Sequence, residues 1–162
     1  MRHDNAIGKN MVGFMVGDTH YAVDILRVRE IVNPLCVVSV PHCPTYVVGV
    51  ADHRGQTIPV VDMHRRFGLQ PAPDSRRSKW IIADASGVDV GLAVDSVTSV
   101  FGVASSDLRA PPTLAITSAA RFIAGVASHE GSLVFLVDLD AIATDEDLAA
   151  PLVAALPSGG RE

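Results

Sequence analysis

Apolar residues along this chain fall into short runs, each closed by a polar or glycine-containing turn. Residues 11–16 read as a strand, Gly17-Asp18 as a turn, and residues 20–23 as the hairpin partner. In residues 24–31 the apolar positions 25, 28 and 31 are three apart, which leaves a helical turn or an irregular bend open, and Asn33-Pro34 closes the segment. Pro41 and Pro44 bracket another turn. An apolar strand from Tyr46 then meets a polar turn at Arg54-Gly55, and a second apolar strand leaves it. Asp62 starts a short basic-faced helix that Gly68 stops, and residues 70–78 read as a Pro-containing polar linker.

The second half repeats the style. Strands are expected over 79–83 and 88–94, separated by Ser86-Gly87, and the apolar pattern continues to Phe101. Ser105, Ser106 and Asp107 suggest one helical turn, Pro111-Pro112 an exposed loop, and residues 122–137 a strand pair around Gly131. Thr144 with Asp147 three residues on resembles a capping box for a final helix, bent or interrupted at Pro151. Residues 1–10 and 157–162 read as flexible tails.

Two halves of the chain are related. Gly49-Val-Ala-x-His53-x-Gly55 returns as Gly125-Val-Ala-x-His129-x-Gly131, an offset of 76, with Tyr46 becoming Phe122 and Val61-Asp62 becoming Val137-Asp138. Ala22-Val23-Asp24 returns as Ala93-Val94-Asp95 at an offset of 71. Two copies of so long a period are no solenoid; they predict two similar small β lobes, each marginal alone, packed across a shared apolar seam. The repeated glycines then have backbone roles, whereas Arg54 becomes Glu130 and Pro59 becomes Phe135. The lobe architecture therefore does not require an arginine in that turn.

Composition narrows the function. Hydrophobic residues are 48% of the chain but aromatics only 5%, so the core is aliphatic and suits β structure better than an aromatic-lined ligand pocket. A net charge of −5 argues against nucleic acid or an anionic membrane as a partner. Cys36 and Cys43 lack Cys-x-x-Cys spacing and read as buried or idle reduced thiols. No apolar run approaches a membrane span and no signal core is evident, so a cytoplasmic protein without direct membrane insertion is expected.

Enzyme signatures are missing: no phosphate-cradling Gly-x-x-x-x-Gly-Lys, no Gly-x-Gly-x-x-Gly and no Gly-x-Ser-x-Gly occurs. Asp24, Asp62, Asp95 and Asp138 each end a strand, where turn and N-cap roles explain them. His53 and His129 lie in matching loops and would be the ligands of a metal-binding alternative, although pseudo-symmetric turns already explain their recurrence. No catalytic, cofactor-binding or metal residue is assigned. Arg54 is weighted the other way: an arginine on a short rigid loop loses little entropy on ordering and can fork onto a carboxylate or carbonyls of a partner. Val28, Ile31, Val47 and Val94 are candidates to line a neighbouring groove for an amphipathic helix.

These residues also carry a resemblance. Val40-Pro41-x-x-Pro44-x-Tyr46-x-x-Gly49-Val50-x-x-x-Arg54-Gly55-x-x-Ile58-Pro59-Val60-Val61-Asp62-x-x-x-x-Phe67-Gly68 resembles the signature of the CheW family of bacterial chemotaxis coupling proteins. Tyr21-x-Val23-Asp24-Ile25-x-x-Val28-x-Glu30-Ile31 before it, and Val90-Gly91-Leu92-x-Val94-Asp95-x-Val97 with Gly125-Val126 after it, are similar too. His53 and Met63 stand where that family usually carries Leu. The resemblance implies a mainly β domain over residues 11–150, built as two intertwined five-stranded SH3-like barrels with short helices and a C-terminal helix. The lobes are expected at about 11–70 and 79–143, with strand exchange allowed. It further implies a non-enzymatic adaptor joining the cytoplasmic tip of methyl-accepting chemoreceptors to the regulatory domain of a CheA-type histidine kinase. Receptor-facing positions carried over by motif are Arg54, Val28, Glu30 and Gly49, with Val94 a weaker match. CheW-like adaptors also serve twitching, gliding and developmental pathways, and a paralogue binding one partner alone is a further alternative.

Overall fold

The computed structural model describes residues 8–70, 76–110 and 121–143. The Pro111-Pro112 loop, the Thr144 capping box, the Pro151 bend and most of the linker lie outside them. Ten strands and two short helices follow one another: β1 (Lys9–Val16), β2 (Thr19–Asp24), β3 (Val28–Val32), β4 (Val47–His53), β5 (Gln56–Asp62), α1 (Met63–Arg66), β6 (Lys79–Ala85), β7 (Val88–Val94), β8 (Ser96–Val103), β9 (Ile123–His129), β10 (Ser132–Val137) and α2 (Leu139–Ala143). The first strand begins two residues before Met11, because Lys9 and Asn10 pair with Val103 and Gly102 on β8. The ambiguous residues 24–31 divide: Ile25–Arg27 make a single 3-10 turn capped by the Asp24 side chain, and Val28 starts a strand. The branched Val28, Ile31 and Val32 pair with β6 rather than extending the turn.

The strands form two five-stranded sheets, ordered β8-β1-β2-β10-β9 and β3-β6-β7-β5-β4. Each sheet takes strands from both halves of the chain. β1 and β2 join β8, β9 and β10, whereas β6 and β7 join β3, β4 and β5. The junctions are the parallel pairs β2–β10 and β5–β7; every other pairing is antiparallel. The mainly β architecture agrees with the two β lobes the repeat predicts and with the five strands in each that the resemblance implies.

Strand alternation explains why the apolar runs are nearly continuous. On β6, Ile81, Ala83 and Ala85 enter a large core shared between the lobes, while Trp80 and Ile82 enter a small cluster with Ala51, Ile58 and Val60. On β1, Val12, Phe14 and Val16 face the shared core, and Met11 joins Ala22, Phe101, Ala127 and Val134 in the other lobe. Both faces of such strands are buried, so both must be apolar. Each fully buried Phe or Ile contributes about 1.5–3 kcal/mol, and the largest cluster lies between the lobes, which ties their stabilities together.

Asp62 caps α1 through its carboxylate, accepting from the His64 and Arg65 amides at 2.9 and 3.5 Å, and Gly68 with φ 77° ends it. Of its basic residues Arg65 is exposed, but the other two are not. His64 is buried and its Nε2 lies 2.8 Å from Asp95. Arg66 is buried with its guanidinium 3.8 Å from the centre of the Tyr46 ring and 4.2 Å from that of Phe122. Those two rings are repeat-related positions, so the helix inserts its cation between the pseudo-symmetric aromatics of the two lobes. Asp138 accepts from the Ala141 amide at 3.1 Å, as Asp62 does at α1. Asp95 departs from the expected cap and instead receives the Gly17 amide at 2.7 Å. At the far end, Arg27 and Asp140 pair, and Ser86 donates to Asp140 from its amide and hydroxyl at 3.1 Å, pinning α2 to the β6–β7 turn.

Candidate functional site

The Arg54-Gly55 turn is a two-residue hairpin between His53 and Gln56, with φ 55° at Arg54 and 83° at Gly55. Positive φ at both positions marks a type I′ turn, whose twist matches that of the flanking strands. The Asp52 carboxylate accepts the Gly55 amide at 2.8 Å and fixes the turn. Ser86-Gly87 and Glu130-Gly131 adopt the same conformation. Arg, Ser and Glu therefore occupy equivalent left-handed sites that ordinarily favour Asn, Asp or Gly. Nothing in the turn itself selects arginine.

The arginine's partner comes from the opposite edge of the sheet. Arg54 Nε donates to Glu30 Oε1 at 2.8 Å and one Nη donates to Oε2 at 2.9 Å. His53 Nε2 lies 2.9 Å from the same Oε1. β3 and β4 are the two outer strands of their sheet, so these bonds join edges that the strand ladder leaves apart and close the sheet on itself. Past β3, the chain completes the closure, with Val38 and Val50 exchanging backbone bonds of 2.8 and 2.9 Å. The fork-on-carboxylate geometry is the strong form of an Arg–Glu pair. It holds the Glu30 carboxyl at about 2, well below its usual value of 4.5, chiefly through the Arg54 bonds and secondarily through His53. Arg54 itself stays 73% exposed, against 33% for Glu30 and 12% for His53. Three of its five N–H groups still point away from Glu30.

The other lobe closes at equivalent positions with different chemistry. Phe101 is Glu30 shifted by 71 and His129 is His53 shifted by 76; their rings stack with centroids 4.0 Å apart. Arg109 and Val126 repeat the Val38–Val50 bridge. Glu130, in Arg54's place, has a phenyl ring at the position where Arg54 finds a carboxylate.

The remaining sequence candidates lie at different depths. Val28 is half-buried and packs against the shared core, while Val94 and Val47 are buried in it. Ile31 is exposed. Gly49 is buried, with φ 155°, and a Cβ there would sit 2.3 Å from the Val38 carbonyl oxygen. The structure thus brings Arg54 and Glu30 together on the surface and places Gly49 under the strand crossing of the same barrel. The seam role of His53 was not read from sequence, although combining the two repeat offsets pairs position 30 with 53 as it pairs 101 with 129. His53 and His129 lie in different sheets, and among the described residues no group of three or more His, Cys, Asp or Glu is placed to hold a metal. Cys36 and Cys43 are free thiols, and neither is buried: Cys36 is exposed and Cys43 half-buried.

Comparison with known proteins now decides the family. The model of the CheW-like domain matches residues 10–147. The chain belongs to the CheW-like domain family. Among relatives, the chemotaxis protein CheW of Rhizobium meliloti (strain 1021) is 35% identical over 143 residues, covering 88% of this chain and 92% of that protein. Protein FrzA of Myxococcus xanthus is 27% identical over 119 residues, covering 74% of each. The crystal structure of the scaffolding protein TtCheW from Thermoanaerobacter tengcongensis superposes with a TM-score of 0.76 at 28% identity, covering 81% of this chain and 89% of that one. A CheW-like chain thus carries an exposed, internally paired arginine in the hairpin turn at the seam of one barrel, where the other has Glu130.

Proposed function

We propose that this CheW-like chain is a chemosensory coupling scaffold that holds the cytoplasmic tip of a methyl-accepting chemoreceptor and the regulatory domain of a CheA-type histidine kinase in one assembly. It transmits receptor changes by holding both partners and catalyses no reaction. The observation that carries the receptor-facing site is the Arg54–Glu30 pair: an exposed guanidinium in a position where the repeat places Glu130, oriented in advance by a carboxylate from another strand. A pre-oriented arginine loses less freedom on binding than a mobile one. Relatives named as chemotaxis proteins, and a solved neighbour named as a scaffold, support the general role.

Within the receptor-facing set Arg54, Glu30, Val28, Gly49 and Val94, we assign direct contact to Arg54 and Glu30. Val28 borders them, and the buried Gly49 and Val94 act by shaping the barrel beneath. The pair carries no net charge, so its outward N–H groups suit carbonyl or amide oxygens as well as a carboxylate. Kinase contacts fall on other faces of the barrels. A cytoplasmic location is part of the same proposal; no helix among the described residues is long and apolar enough to cross a membrane. Pull-down with a purified receptor tip fragment and, separately, with the kinase regulatory domain tests the reading. Capture by both supports the coupling role, capture by one alone favours a modulator, and capture by neither refutes it.

A further inference from the structure

We propose that His53 is a positioning residue for the Glu30–Arg54 pair: its imidazole N–H holds the Glu30 carboxylate at the barrel seam with both oxygens turned to Arg54. The geometry is asymmetric in a telling way. Arg54 and Glu30 are long side chains, one largely exposed and the other a third exposed, whereas His53 is almost enclosed. The enclosed member is the one with the least freedom, so it supplies the fixed point. An ionised carboxylate only accepts hydrogen bonds. With Glu30 held ionised, the Nε2 atom 2.9 Å from Oε1 must therefore carry a proton. That requirement sets the tautomer of a neutral His53.

The second lobe supplies an internal comparison. His129 occupies the equivalent place, yet it faces the Phe101 ring and packs by stacking. A histidine at this seam is thus compatible with closing the barrel without a carboxylate on the facing strand. In the first lobe the imidazole meets a carboxylate at hydrogen-bond distance, 2.9 Å, whereas His129 Nε2 lies 3.9 Å from the exposed Glu130 carboxylate of its own turn, beyond that reach; the first-lobe turn carries an arginine and the second a glutamate. His53, Glu30 and Arg54 form one unit, with His53 acting through Glu30. The consequence for binding rests on the receptor-facing reading of Arg54; the positioning itself does not.

The test is side-chain NMR on the intact protein, followed by binding. In the wild type, nitrogen-resolved imidazole spectra are expected to show His53 protonated at Nε2, and the Arg54 Nε–H is expected to be visible and slow to exchange. In His53→Leu, the Arg54 Nε–H should lose its protection and the Glu30 carboxyl should titrate closer to 4.5, its ordinary value. His53→Gln, which restores an N–H donor, should recover part of both. Receptor-tip affinity should fall roughly threefold or more in His53→Leu, with recovery in His53→Gln. An unprotonated Nε2 in the wild type overturns the proposal without any variant. So does a His53→Leu protein whose Arg54 Nε–H and Glu30 titration are unchanged. If those two signals move while affinity does not, His53 is the positioning residue and the receptor-facing reading of the pair is what fails.

Discussion

Replacing Gly49 by alanine, beside the same change at its repeat partner Gly125, puts the barrel closure to a quantitative test. At Gly49 a Cβ would lie 2.3 Å from the Val38 oxygen, 2.7 Å from a Val37 methyl and 2.9 Å from the Val38 carbonyl carbon, at φ 155°. Two of those atoms are backbone, so relief requires moving the crossing segment. Unfavourable backbone geometry of this kind costs about 1–3 kcal/mol. Displacing Val38 also strains the two bonds it exchanges with Val50, worth about 1 kcal/mol each. Gly49→Ala is therefore expected to destabilise by about 3–5 kcal/mol, a large part of the roughly 5–15 kcal/mol typical of a domain. At Gly125 the nearest atom is the Arg109 oxygen at 3.0 Å, and no left-handed φ is involved. A shift of a few tenths of an ångström relieves it, so Gly125→Ala should cost about 1 kcal/mol or less. Urea unfolding of the two variants and the wild type measures the difference, provided the m values agree. Equal losses, or a larger loss at Gly125, would refute the claim that the first barrel closes over a backbone crossing that only glycine admits.

Other expectations follow from the same contacts. Glu30 titrates at about 2 in the folded chain, so the stability it contributes is full above 4.5 and is lost as pH falls toward 2; Glu30→Gln should flatten the acid-unfolding curve across that window. The same variant leaves Arg54 uncompensated, so receptor-tip binding should become more salt-dependent, as binding at two ionic strengths would show. His20 has its pKa lowered, first by burial and then by the neighbouring His129. Its contribution is full above the ordinary histidine value of about 6.5 and is lost as pH falls through the lower folded value, so His20→Gln should lose less Tm than wild type on moderate acidification. Phe14, fully buried in the core between the lobes, should cost about 3–5 kcal/mol on truncation to alanine, read as a lowered urea midpoint.

Much of the fold was legible because its signals are local. The three X-Gly hairpin turns, the Asp24, Asp62 and Asp138 caps and the glycine end of α1 are each decided within a few residues. The repeat also foretold the shared seam, since two small sheets need each other's apolar faces. The strand partners were harder to read. β2 pairs with β10 and β5 with β7, across more than half the chain in the first case, and near-continuous apolar strands carry no alternation to say which face meets which lobe. The residues 24–31 were ambiguous because a capped turn and a β-branched strand share them. The helix after Asp62 reads from sequence only as basic-faced, since one turn is too short for its periodicity to show that His64 and Arg66 are buried. At the site, Arg54 stood out by failing to repeat. Its partner Glu30 is implied by the resemblance as a receptor-facing position but not as the arginine's partner, because the closure that brings β3 to β4 is a long-range event, and with it the role of His53.

The central claim is that Arg54 serves a partner and not the fold. Isothermal titration of Arg54→Ala with a receptor tip fragment, beside a thermal melt of the same preparation, tests it most directly. The account predicts an affinity loss of about tenfold or more with a Tm close to that of the wild type, because the Arg54–Glu30 pair is a surface ion pair of small worth and the equivalent turn of the other barrel carries Glu130 instead. Undiminished affinity with a lowered Tm would contradict it, making the arginine a seam residue and nothing more.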